Sequence, residues 1–230
     1  MDFEVACGST FSVLDVRLDE GDSIYAQPHA MVSMTPRVTV QAKMGAQQKS
    51  SGWSGGMRNL LTGESLFAAV YSAKEDGQQL TLAPETIGEI FPLQLGEDSG
   101  YYLTRGVYLA STTDVQLAVK YGGARGLLAA KGLFLMHATG SGSVFCASHG
   151  AVLRRELAEG ERFVIDNKYV VAFSDTVEYQ LVKATESLRD SFFSGEGLVN
   201  RYTGPGTVYY QTRCRPMAGG LLAWIFQAAT

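Results

Sequence analysis

The 230-residue sequence predicts an all-β protein: three tandem β-sandwich or short double-stranded β-helix repeats folded as one body. Three observations predict it. An alternating strand occurs three times, as Val38-Thr39-Val40-Gln41-Ala42, Val115-Gln116-Leu117-Ala118-Val119 and Val177-Glu178-Tyr179-Gln180-Leu181. Apolar residues at every second position are the mark of a strand with one buried face. A turn unit follows each of these strands. It is fullest where Leu198-Val199 leads through Thr203-Gly204-Pro205-Gly206 to Val208-Tyr209-Tyr210-Gln211. Glycine permits φ > 0 and proline presets φ, so this turn has a mechanism. Finally, Leu18-Asp19-Glu20-Gly21-Asp22-Ser23-Ile24 aligns with Leu157-Ala158-Glu159-Gly160-Glu161-Arg162-Phe163, at the separation that relates Val38 to Val177. Blocks recurring in one order indicate a repeat architecture.

In chain order, repeat 1 covers residues 1–84, with strands expected over Phe11–Leu18, Ser23–Ala26, Ala30–Met34 and Arg37–Lys43. Residues 44–58 are rich in Gly, Ser and Gln and read as a loop. Leu66-Phe67, a turn near Asp76-Gly77, and Leu80-Thr81-Leu82-Ala83 complete the repeat. Repeat 2 covers residues 85–148. It has a shorter glycine-rich connection at Tyr121–Gly126 and a turn unit of Leu133-Phe134, Gly140-Ser141-Gly142 and Val144-Phe145-Cys146-Ala147. Repeat 3 covers residues 149–214. Thr185 as a cap, Glu186 in the first turn and Leu188 and Phe192 at i, i+4 predict a short helix over 185–193. Residues 215–230 form an apolar C-terminal tail. Trp224 and Phe226 would pack on the body, on a neighbouring subunit or at a membrane surface. Units of this size are marginal alone, so the repeats are expected to share a core.

The formal net charge is −4 with no basic stripe, which argues against duplex nucleic acid as a partner. The first residues lack a basic segment followed by an apolar run, and no stretch approaches ~18 consecutive apolar residues. Cys7, Cys146 and Cys214 are odd in number and widely spaced, which fits free thiols in a reducing compartment. The expected location is the cytoplasm.

Candidate chemistry is thin. Gly52-Trp53-Ser54-Gly55-Gly56 matches a nucleophile-elbow pattern, but no buried strand feeds it. Cys146 and His149 could form a nucleophile pair, but Cys146 falls on a strand where Leu82 and Tyr210 stand in the other repeats. His29, His137 and His149 show no metal-ligand spacing. Glu64, Asp166 and Glu196 lie at turns without acid–base partners in sequence. Arg58, Glu196 and Arg213 are candidates for subunit contacts, together with Trp224 and Phe226. Of adjacent aromatics such as Tyr101-Tyr102 and Tyr209-Tyr210, one is expected to be exposed unless both sheet faces are packed. No catalytic residue, cofactor or metal is predicted.

The Gly195–Arg213 segment, with Gly63-Glu64-Ser65-Leu66-Phe67, Leu82-Ala83-Pro84 and Gly160-Glu161, resembles the altered-inheritance-of-mitochondria (mitochondrial biogenesis) family over nearly the whole chain. The chain looks like a bacterial member of unknown function. The resemblance implies tandem units like the trp RNA-binding attenuation protein, a short double-stranded β-helix that assembles into rings. Mitochondrial relatives support inner-membrane organisation, and the resemblance brings no catalytic residues. RNA and tryptophan binding would be analogies of fold alone. The expected function is a non-enzymatic homo-oligomeric scaffold or interaction protein, a trimer being favoured because it would place nine units in a ring. A protein partner or membrane-surface association is a further expectation. The alternatives are a small-ligand module with sites between repeats or subunits, an unrecognised enzyme, and an RNA-binding ring.

Overall fold

A computed structural model describes residues 1–44, 67–96, 99–120, 135–183 and 198–214. These residues form nineteen strands and no helix. β1 (Asp2–Ala6) precedes a first set: β2 (Val13–Leu18), β3 (Ser23–Ala26), β4 (Met31–Met34), β5 (Val38–Met44), β6 (Phe67–Ala73) and β7 (Gln78–Leu82). A second set holds β8 (Ile90–Leu95), β9 (Tyr101–Thr104), β10 (Tyr108–Thr112), β11 (Val115–Lys120), β12 (Leu135–Gly140) and β13 (Gly142–Ala147). The third holds β14 (Val152–Leu157), β15 (Arg162–Ile165), β16 (Val170–Ser174), β17 (Glu178–Lys183), β18 (Leu198–Thr203) and β19 (Gly206–Gln211). The expected loop beyond residue 44, the helix over 185–193 and the tail over 215–230 lie outside the described residues.

Pairing follows one order in all three sets. The first strand pairs with the sixth and the sixth with the third. The second pairs with the fifth and the fifth with the fourth. Each third strand carries a register shift at the same place: between Met31 and Ser33, Tyr108 and Ala110, and Val170 and Ala172. Sets are then sewn together. β3 pairs antiparallel with β10 of the next set, and β9 with β16. The result is four sheets, ordered β1-β2-β7-β4, β5-β6-β3-β10-β13-β8, β11-β12-β9-β16-β19-β14 and β15-β18-β17.

Alternation explains how one sheet serves two cores. On β13, Phe145 joins a core with Leu14, Leu18, Ile24 and Leu80, while its neighbours Val144 and Cys146 join another with Leu93, Leu103 and Leu117. On β16, Val171 and Ala172 belong to that second core and Val170 and Phe173 to a third, with Tyr202 and Val208. Every core therefore takes side chains from two successive sets, as units too small to stand alone require. The third is the most aromatic. Tyr202 is fully buried against Phe173, ring centroids 5.2 Å apart. Asn200 donates to its hydroxyl at 3.2 Å, and burial pushes the phenol pKa up.

Tyr101, Tyr102, Tyr209 and Tyr210 are all half-buried, so neither member of either pair stands free. Tyr209 packs on Phe91 and Tyr101, and Tyr210 on Phe163. Both faces of these strands are packed.

The connections into the first strand of each set also meet. Phe11 bridges Gly88, and Gly88 bridges Gly150, both in parallel. The Gly150 amide donates to the Ile87 carbonyl at 2.9 Å, and the Glu89 amide to the Gly150 carbonyl at 3.1 Å. A Cβ on Gly88 would lie 2.7 Å from the Gly150 nitrogen and would also strike the Ser148 carbonyl oxygen. Both obstacles are backbone. We expect Gly88→Ala to cost about 1–3 kcal/mol, the usual penalty of overpacking, in a denaturant titration. Gly77→Ala, where no atom lies within 4 Å and only φ +69° is at stake, should cost less; equal costs would contradict this account. Cys146 is fully buried and its thiol pKa is raised by burial, whereas Cys7 is exposed. A thiol reagent should label Cys7 in the native protein and reach Cys146 only on unfolding, as peptide mass spectrometry would show. Rapid native labelling of Cys146 would restore a reactive-thiol reading.

Candidate functional site

A strand at the end of a sheet presents unpaired N–H and C=O groups, and proteins cover or blunt such edges. The three first strands occupy equivalent places and are each blunted differently. β2 is covered by β1, from Asp2↔Arg17 to Ala6↔Val13. β8 carries Pro92, which removes a donor. β14 exposes Arg154, Arg155 and Glu156. Its two arginines form ion pairs with Glu156 and with Glu161, the latter at 2.8 Å. β5, β11 and β17 each run directly into residues outside the described ones.

Besides β1, which carries exposed Asp2 and Glu4, two edges lack a covering strand among the described residues and are mostly apolar: β4, sequence Met-Val-Ser-Met, and β15, sequence Arg-Phe-Val-Ile. Their counterparts in the other sets are interior strands. Val32 is 59% exposed, whereas Leu109 and Val171 at the same bulge position are 0% exposed. Met34 is 39% exposed, and its counterparts Ser111 and Phe173 are 0%. Val164 on β15 is 53% exposed, where Tyr25 on β3 is 8%. These apolar side chains stand in places that a neighbouring strand buries elsewhere in the chain, and pattern reading alone did not single them out.

The open end of the Phe11–Gly88–Gly150 column lies at Gly150. Exposed Arg213 stands there, its Cγ 3.1 Å from where a Gly150 Cβ would be. Its amide donates to the His149 carbonyl at 3.2 Å and its guanidinium to the Thr212 carbonyl at 2.8 Å. At the other end Phe11 is exposed, with Ile87 nearby in the column. Of the other candidate contact residues, Arg58, Glu196, Trp224 and Phe226 lie outside the described residues.

The candidate reactive groups have the following surroundings. Cys146 is a core residue at the place Leu82 and Tyr210 hold in the sister strands. The His149 amide donates to Gln211 Oε1 at 2.8 Å. His137 Nε2 lies 3.1 Å from Asp175 Oδ2, with its ring stacked on Tyr102 at 4.6 Å. This contact joins β12 to the turn after β16, alongside the β9·β16 ladder. Asp166 pairs with Lys168 at 3.0 Å. Among the described residues no group of three or more His, Cys, Asp or Glu is placed to hold a metal ion, and no helix is long and apolar enough to cross a membrane.

The chain has relatives over almost its full length. It is 32% identical over 222 residues to an uncharacterised protein of Streptococcus pyogenes serotype M6, covering 92% of this chain and 86% of that one. Its fold matches the crystal structure of the Streptococcus pyogenes protein SPYM3_0169 with a TM-score of 0.72 and 29% identity, over 93% of this chain and 94% of that one. The family profile described as "Mitochondrial biogenesis AIM24" matches residues 3–213, and the chain belongs to that family.

Proposed function

We propose that this protein is a non-enzymatic homo-oligomeric scaffold or interaction protein whose subunits join through strand edges. One observation carries the reading: β4 and β15 present exposed apolar side chains on edges that no other described strand pairs, while their counterparts β3, β9, β10 and β16 are interior strands, all but β9 largely buried. A lone chain with two such edges would be prone to aggregate, and closed assembly removes them. A trimer is the assembly first expected. The engagement of Cys146 in packing and of His137 with Asp175 supports a structural rather than catalytic use of these groups. Cys7, Cys146 and Cys214 are free thiols, which supports a cytoplasmic setting.

The test is native mass spectrometry and light scattering on untagged protein. We expect one defined oligomer, with Val32→Lys raising its dissociation constant by roughly tenfold or more, about 1.4 kcal/mol. Because Val32 is largely exposed in the single chain, the melting transition of the dissociated variant should move little, within about 0.5 kcal/mol. A monomeric parent protein, or an oligomer indifferent to Val32→Lys and Val164→Lys alike, would overturn the edge-mediated reading.

A further inference from the structure

The two open edges are complementary members of a pair that the chain already forms twice. At both internal junctions, the second strand of one set pairs antiparallel with the third strand of the next: β3 with β10, and β9 with β16. Among the described residues, β15 is a second strand that no third strand pairs, and β4 is a third strand that no second strand pairs. We propose that β15 of one copy of this chain pairs antiparallel with β4 of a second copy, head to tail. Ser33 then lies opposite Ile165, Met34 opposite Val164 and Thr35 opposite Phe163 of the other copy. This inference rests on the oligomeric reading and deepens it by naming the contact and its register.

The register follows from equivalences within the chain. In β4 the shift after Met31 falls where β10 shifts after Tyr108 and β16 after Val170. Ser33, Met34 and Thr35 therefore correspond to Ala110, Ser111 and Thr112, and to Ala172, Phe173 and Ser174. For β15, the turn after β14 repeats the turn after β2. Gly21 N bonds to Ala73 O at 3.2 Å and Ala73 N to Asp22 O at 3.0 Å, while Gly160 N bonds to Gly204 O at 3.2 Å and Gly204 N to Glu161 O at 3.0 Å. Phe163, Val164 and Ile165 thus correspond to Ile24, Tyr25 and Ala26. The observed pairs Ala110↔Ala26, Ser111↔Tyr25 and Thr112↔Ile24 carry over position by position, and the β9·β16 junction agrees with Ala172↔Leu103, Phe173↔Tyr102 and Ser174↔Tyr101.

Three consequences fit. The exposed Val32, Met34 and Val164 all fall within the new ladder or at its bulge, where their counterparts are buried except for half-buried Tyr102 at the place of Val164. The Gln27 amide, which donates to the bulge carbonyl of Leu109 at 2.8 Å, has its counterpart in Asp166, facing the Val32 carbonyl of the other copy. The Phe11–Gly88–Gly150 column would also continue, placing Phe11 of one copy beside Gly150 of the next. One bond is not reproduced. Asp175 N donates to Gly100 O at 3.0 Å at the second internal junction, and Pro36, two residues past β4, holds that place with no N–H to give. The new ladder ends there.

Disulfide trapping tests the register. In a Cys7→Ser, Cys214→Ser background, Met34→Cys with Val164→Cys places the thiols directly opposite. Met34→Cys with Arg162→Cys places them on a diagonal, ~7–8 Å apart and beyond disulfide reach. A second on-register pair, Thr35→Cys with Phe163→Cys, guards against one variant failing to fold. Under mild oxidation both on-register pairs should give intermolecular disulfides, on the order of tenfold faster than the diagonal pair. They should form only in the double variants, and peptide mapping should place them between residues 34 and 164, or 35 and 163. If native mass shows the parent oligomer but on-register and diagonal pairs trap alike or not at all, this contact is overturned and the oligomer stands on another surface. If the parent is a monomer, the oligomeric reading and this contact fall together.

Discussion

Backbone N–H and C=O groups in a sheet need partners on both sides, and the last strand of any open sheet lacks them on one. The fold is arranged around that constraint. Each six-strand set has its second and third strands at the ends of two separate three-strand ladders. Left alone, both strands would be open edges. Pairing β3 with β10 and β9 with β16 satisfies them in the middle of the chain and converts ladders of three into sheets of six. The sets cannot be separated without re-exposing those edges, so the body is not three independent domains.

The same junctions decide where the cores lie. The bulge on each third strand allows two successive residues to serve one core, which plain alternation would forbid. Leu109 and Ala110 both enter the core beneath β2 and β7, and Val171 and Ala172 both enter the one beneath β8 and β13. In each case the third strand of one set fills the interior of the preceding set. The His137–Asp175 contact sits at such a junction. Gly100, whose Cβ would approach His137 Nε2 to 2.9 Å, leaves room for it. Local chemistry there supports the joining of sets.

Much of this was legible in the residues. β5, β11 and β17 carry strict alternation, and the matched Leu18–Ile24 and Leu157–Phe163 segments do fold into equivalent turns with equivalent hydrogen bonds. Cys146 could be placed as a packing residue because its strand aligned with those of Leu82 and Tyr210. β1 was not legible, because Asp2-Phe3-Glu4-Val5-Ala6 owes its strand state to the β2 edge it covers, and a pattern cannot show that partner. Nor were β8 and β14 marked, since Pro92 and the Arg154-Arg155-Glu156 run oppose the usual strand signature. They are edge devices, intelligible once the sheet order is known. The exposure of Val32, Met34 and Val164 was equally hidden. Their sequence neighbourhoods resemble those of buried strands. The difference is that, among the described residues, no second strand pairs with β4 and no third strand with β15. Arg213 was singled out as a contact residue, and the structure sets it at the end of the inter-set column; the other candidates for contact lie outside the described residues.

The unequal treatment of edges is itself informative. A covering strand, a proline and a run of paired charges guard the three first strands, each a device that hinders stray pairing. β4 and β15 are also edges but, apart from Ser33 and Arg162, carry methionine, valine, phenylalanine and isoleucine. They also differ in kind, one a third strand and the other a second. Pairing within the established order can join β15 to β4 but never β4 to β4. That makes the contact heterologous, and a heterologous contact closes into a ring or runs on as a filament according to the rotation between copies. In the proposed contact the rotation would be the one by which each set already follows the last, carried across the gap between chains. The geometry that holds the sets together within one chain is therefore the same geometry that would fix the number of chains in the assembly.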